Sequence, residues 1–176
     1  EDKEFVYREG TLAGAEFEVY AAEDICTNDG QKDENGERIR YYEKGELVGT
    51  LVTDENGRAV LSGLPLGTYR VKETKAPYGY VLDPKEQTVK FAYADDRTPV
   101  IKETLTFTDD RQKVSLSVLK LDSETELPVA GAEFGLYAAE DIRDAEGNTL
   151  VEADTLLERA VSGSSGKAVF GKDYPL

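Results

Sequence analysis

Three ionisable residues stand where the apolar stripe of a strand runs out. Alternate residues of a β-strand share a face, so Tyr69, Val71 and Glu73 point one way while Arg70 and Lys72 point the other. Leu105, Phe107 and Asp109 make a second such row, with Thr104, Thr106 and Thr108 opposite, and Val114, Leu116, Val118 and Lys120 make a third. Read singly, each charge could curl out to solvent at a strand end. Read together, they put two carboxyls and an amine on core-facing stripes, where an unpaired charge is costly and pKa values shift. Burial raises a carboxyl pKa and lowers an amine pKa, and a neutral amine against a neutral carboxylic acid can form an amide. Holding them in contact replaces a bimolecular encounter with an effective molarity of ~10⁵ M or more. The product would be a Lys-to-Asp or Lys-to-Asn isopeptide bond.

Composition removes most other chemistry. The 176 residues include 36 acidic and 21 basic side chains, a net charge of −15, no His and one cysteine, Cys26. Without His there is no Ser-His or Cys-His nucleophile pair and no His-ligated zinc. The negative charge disfavours nucleic-acid backbones and anionic lipid, and no apolar run reaches the ~20 residues of a membrane helix. One cysteine cannot close an internal disulfide, and Cys26 reads as a free or buried thiol. The acidic runs Asp33-Glu34-Asn35-Gly36 and Asp54-Glu55-Asn56-Gly57 lack the ligand spacing of a calcium loop and read as solvated hairpin tips. No metal and no cofactor is expected.

The elements that must carry these residues read as strands. Apolar and β-branched residues alternate over short runs at 15–20, 37–42, 47–53, 58–61, 68–73, 87–93, 100–108, 114–121, 132–137, 156–161 and 167–170. Nothing sustains a helical period, and short strands with Gly-rich turns argue for an all-β sandwich. The chain also repeats itself. Leu12-Ala13-Gly14-Ala15-Glu16-Phe17 returns as Val129-Ala130-Gly131-Ala132-Glu133-Phe134, an offset of 117 residues. Gly57-Arg58-Ala59-Val60-Leu61 returns as Gly166-Lys167-Ala168-Val169-Phe170 at 109. The expected organisation is one domain at 1–112, short of its first strand, and the N-terminal half of a second at 113–176.

These motifs, together with Leu64-Pro65-Leu66-Gly67-Thr68-Tyr69 and Val71-Lys72-Glu73-Thr74-Lys75-Ala76-Pro77-Tyr78-Gly79-Tyr80, resemble the SpaA-type, or Cna B-type, domains of Gram-positive surface proteins and pilins. The resemblance implies a prealbumin-like or inverse immunoglobulin-like β-sandwich in a tandem stalk, anchored to the cell wall by sortase and often carrying an autocatalytic isopeptide bond. By position it makes Glu73 the catalytic proton shuttle and Asp109 the acyl acceptor, where the family commonly has Asn. Lys120 matches the first-strand nucleophile of the second domain, whose partners would lie beyond residue 176. Lys3 precedes Leu12 by nine residues, as Lys120 precedes Val129, and is the formal nucleophile of the first domain; an upstream lysine, no bond at all, or a strand exchange that puts Val114–Leu121 in the first strand's place are the alternatives.

The function implied is a structural stalk repeat of an extracellular, cell-wall-anchored adhesin or pilin-like protein, with signal peptide and sortase motif outside this stretch. It would not be an enzyme beyond one self-maturation turnover. Its partners would be neighbouring domains of the same polypeptide, with no nucleic acid and no membrane insertion. The rival reading is an adhesive module that contacts host extracellular matrix protein or glycan through its loops, with Tyr41, Tyr42, Tyr78 and Tyr80 as candidates.

Overall fold

A computed structural model describes residues 12–144, 147–172 and 174. Lys3 lies outside the described residues. Fourteen strands run through them, with no helix: β1 Glu16–Ala21, β2 Ile25–Cys26, β3 Arg40–Tyr42, β4 Leu47–Val52, β5 Gly67–Lys75, β6 Tyr80–Val81, β7 Glu86–Phe91, β8 Asp110–Arg111, β9 Leu116–Leu119, β10 Glu133–Tyr137, β11 Ile142–Arg143, β12 Thr149–Val151, β13 Leu156–Val161 and β14 Lys167–Phe170. The chain divides into two compact units, with the boundary between Arg111 and Gln112.

The first unit is built on an antiparallel sheet of order β4-β1-β5-β7. Phe17 of β1 sits opposite Leu51 of β4 on one side and opposite Glu73 of β5 on the other. The sequence alternation becomes an alternation of burial: Phe17, Val19 and Ala21 are buried, as are Tyr69, Val71 and Glu73. Leu61, Leu64, Leu105 and Phe107 close over that face, Phe107 at 4.9 Å from the Phe17 ring. The outer face is polar, with Arg70 bonded to Glu86 and Lys75 to Glu16. Small pairs β2-β3 and β6-β8 flank the sheet.

The acidic runs form tight turns. Asp54 Oδ1 accepts from the amides of Asn56 and Arg58, and Asp33 Oδ1 from those of Asn35 and Glu37. Each aspartate thereby supplies a local acceptor that the turn backbone would otherwise lack.

The second unit pairs β10 with β13, β11 with β12, and β14 with β9. Its core is smaller: Ala160, Ala168, Phe170 and Tyr174, packed by Val118, Phe134, Leu136 and Leu157.

Two expected strands, at 58–61 and 100–108, form no ladder among the described residues. The rows do alternate, since Leu105, Phe107 and Asp109 are half-buried and Thr104, Thr106 and Thr108 exposed. A strand, however, is defined by a partner's backbone, and no described strand forms a backbone ladder with either run. Conversely, β2, β6, β8, β11 and β12 escaped the sequence reading, being two- or three-residue pairings fixed by loops.

Candidate functional site

Among the described residues Glu73 is the only charged one of the largest fully buried side chains, at 1% exposure. It continues the inward row of Tyr69 and Val71 on β5, and its register neighbour on β1 is Phe17. Asp109, half-buried, continues the row of Leu105 and Phe107. The Phe17–Phe107 ring contact ties these two rows together, so each carboxyl arrives at the same end of the core. Glu73 Oε2 and Asp109 Oδ1 are both buried and without a hydrogen-bond partner.

The fully buried Glu73 carboxyl, with its orphaned Oε2, resists ionisation. Burial pushes Glu73 up to about 7, and the hydrogen bond and charge of Asp109 push in the same direction. The backbone N–H of Asp83 opposes them by bonding the carboxylate. Near neutral pH Glu73 therefore can both hold a proton and pass it to a neighbour. Asp83 was invisible to the sequence reading, because it reaches Glu73 through its backbone.

A groove of about 590 Å³ runs over the core, floored by Phe17, Val19, Tyr69, Val71, Leu105 and Phe107. Residues 57–61 and 103–105 are among its walls. Gln87 Nε2 donates to Thr106 O at 2.6 Å, which pins the second wall to β7.

Lys120 lies in the second unit, exposed, and its Nζ donates to Leu121 O at 2.9 Å. The structure thus brings Glu73 and Asp109 together, and Lys120 belongs to the other unit. The tyrosines divide: Tyr41 and Tyr78 are half or more exposed, while Tyr42 packs against the core and Tyr80 is half-buried. Cys26 is a free, half-buried thiol on β2. Among the described residues no group of acidic or thiol side chains could hold a metal ion, and no helix is long and apolar enough to cross a membrane.

The family model described as a SpaA prealbumin-like fold domain matches residues 6–105. A trypsin-resistant surface T6 protein of Streptococcus pyogenes serotype M6 is 31% identical over 77 residues, which is 43% of this chain and 14% of that protein. The Bacillus anthracis TIE protein has a similar fold, with a TM-score of 0.55 and 24% identity over 93% of this chain and 24% of its own. A streptococcal ancillary pilin aligns with a TM-score of 0.38 and 24% identity over 90% of this chain and 45% of its own. The chain thus spans about a seventh of the surface protein it matches.

Proposed function

The chain belongs to the SpaA prealbumin-like fold family, and from that premise we propose that it is a structural repeat of a bacterial cell-wall-anchored surface or pilin-like protein, matured by an internal Lys-to-Asp isopeptide bond. The relative with the surface-protein name supports the location. The observation that carries the chemistry is the buried Glu73 beside Asp109, each with an orphaned carboxyl oxygen.

In this reading a lysine amine reaches the buried carboxyl pair and loses its proton to Glu73. Its Nζ attacks Cγ of Asp109, forming the C–N bond. Glu73 returns the proton to the departing hydroxyl of the Asp109 carboxylic acid, the C–O bond breaks, one water leaves, and Glu73 takes the second N–H proton as the nitrogen becomes a neutral amide. Glu73 must accept and release a proton at ambient pH, which a carboxyl with pKa near 7 does best. The surrounding apolar side chains keep water from competing for the proton. Nothing turns over, because the product stays in the fold.

Intact mass of the protein tests the chemistry. The expected result is a mass one water below the sequence mass, with a digest peptide joining Asp109 to a lysine and restoration of the full mass in Glu73→Gln. A mass equal to the sequence mass overturns the cross-link. Fractionation of cells carrying the parent protein tests the location: recovery only after wall-degrading enzyme treatment is expected, and recovery in the cytosol overturns it.

A further inference from the structure

The carboxyl pair occupies one end of β5, and a different set of loops gathers at the other. Gly67, where β5 begins, is six residues from Glu73, roughly 20 Å along an extended strand. Its register partner is Phe91 at the end of β7, and a Cβ on Gly67 would lie 3.0 Å from the Ile25 side chain of β2. The missing side chain therefore lets β2 close on the sheet, so that the loop after β2, the loop before β5 and the chain leaving β7 meet. Between them lie an inner hollow of about 360 Å³ and an outer one of about 650 Å³. Both are lined by Cys26, Asn28, Leu66 and Tyr93, which makes them parts of one cleft of ligand size.

Hydrogen bonds within the fold fix the walls. The Thr27 hydroxyl, in a residue 2% exposed, donates to Gln31 O at 3.0 Å, and Asp29 Oδ1 accepts from the Gln31 amide. Asp24 accepts from the Lys44 amide and from Arg40, and Glu23 from the Thr68 amide. A cleft shaped before its ligand arrives loses little conformational entropy on binding. The acidic side chains of the cleft thus serve the fold, and a different set is left over. Among the described residues the side chains of Asn28, Arg38 and Lys90 and the hydroxyls of Tyr41 and Tyr93 have no hydrogen-bond or ion-pair partner. Tyr41 is 50% and Tyr93 70% exposed, so both leave ring surface at the outer hollow.

The chemistry of the ligand follows from that lining. Arg38 and Lys90 share the inner hollow with Glu23 and Asp24, so its formal charges cancel. An anion is opposed by the net charge of −15, and a cation would meet the unpaired Arg38 and Lys90. A neutral ligand rich in hydroxyls meets neither objection. Each hydroxyl can accept from Asn28, Arg38 or Lys90 and still donate to an oxygen of the wall. The tyrosine rings add flat apolar faces for the C–H side of a sugar ring and a polar tip beside them. We propose that this cleft binds a neutral saccharide, with Tyr41 and Tyr93 as its ring platforms and Asn28, Arg38 and Lys90 as donors to its hydroxyls. None of these residues takes part in the cross-link, so the site stands independently of that chemistry.

The full chain applied to an array of neutral and acidic glycans tests the ligand class, and the retained sugar is then titrated into isotope-labelled protein while amide chemical shifts are followed. Expected are retention of neutral glycans and saturable shifts at 26–29, 63–67 and 91–93. Tyr41→Ala and Tyr93→Ala should each weaken binding about tenfold and Asn28→Ala about threefold, whereas Tyr93→Phe keeps the ring and should retain most of the affinity. Tyr78→Ala removes a similarly exposed ring beyond the opposite end of β5 and should bind as the parent does. Urea midpoints close to the parent's are expected for these surface variants, which separates lost contact from lost fold. Retention of no neutral glycan overturns the proposal, as do a preference for acidic glycans, shifts that map away from the cleft, and binding indifferent to both Tyr41→Ala and Tyr93→Ala.

Discussion

The hairpins of the two units agree almost bond for bond, and their surroundings do not. In the first unit the Thr53 hydroxyl accepts from the Ala15 amide at 3.0 Å and donates to Leu12 O at 2.6 Å. In the second, the Ser162 hydroxyl accepts from the Ala132 amide at 2.9 Å and donates to Val129 O at 2.7 Å. The turns close the same way, Gly57 N–H on Asp54 O and Gly166 N–H on Gly163 O, each 2.9 Å. Both glycines have positive φ, 68° and 73°, and a Cβ on Gly166 would lie 2.5 Å from Lys120 O. Local hydrogen bonding therefore reproduces the motif with Thr or Ser and with Asp or Gly. What differs is the third dimension: the first unit lays its hairpin on a four-stranded sheet with a buried carboxyl, the second on a two-stranded pair with β9 against the edge. A shared motif sets the turn, and its packing partners set the chemistry.

The largest test of that contrast is core truncation. Tyr69 is fully buried and its hydroxyl donates to Pro65 O at 2.7 Å, so Tyr69→Ala should cost about 3–5 kcal/mol in urea unfolding. The loss should appear in amide-exchange protection of β1, β4, β5 and β7. Phe170→Ala should strip protection from β9 and β14.

Next comes the pH response, which only the first unit should show through Glu73. Its folded pKa lies near 7, above the ordinary value of 4.5. The folded state therefore holds a proton that the unfolded chain has released between those pH values, and stability falls as pH rises through that window. The full loss is about 3 kcal/mol. Urea midpoints measured from pH 4 to pH 9 should show the decline, and Glu73→Gln should flatten it; an equal slope in the variant would place the titration elsewhere.

A smaller effect separates the matched hydroxyls. Ser162→Ala leaves the Ala132 amide without its acceptor in a buried site and should cost about 2 kcal/mol. Thr53→Val does the same where solvent is nearer and should cost about 1 kcal/mol. Both are read as shifts in chemical denaturation, and a null result at either site would break the equivalence of the hairpins.

The smallest concerns the charged outer face of the first sheet. Arg70–Glu86 and Lys75–Glu16 are 39–64% exposed pairs, so Arg70→Met or Lys75→Met should change stability by no more than about 1 kcal/mol and be masked by added salt.

Much of this was legible in the sequence, for reasons that differ by element. Period-two alternation located β1, β4, β5, β7, β9, β10, β13 and β14, because a strand with one buried face writes its burial into its residues. The same parity turned Glu73 inward. It could not tell that 58–61 and 100–108 form no ladder among the described residues, because pairing belongs to two edges and a sequence shows one. Nor could it find Asp83, whose backbone amide, not its side-chain type, touches Glu73.

The all-β class, the hairpin turns and the stripes ending in Glu73, Asp109 and Lys120 follow from residue type and spacing alone, since adjacent residues must share backbone geometry. Tertiary structure decided the rest. Glu73 meets Asp109 only because the Phe17 and Phe107 rings pack across residues ninety apart in sequence, and its proton affinity is the summed desolvation of that packing. Which edges pair was decided there too, because a ladder and a buried charge both depend on neighbours that the chain meets only when folded.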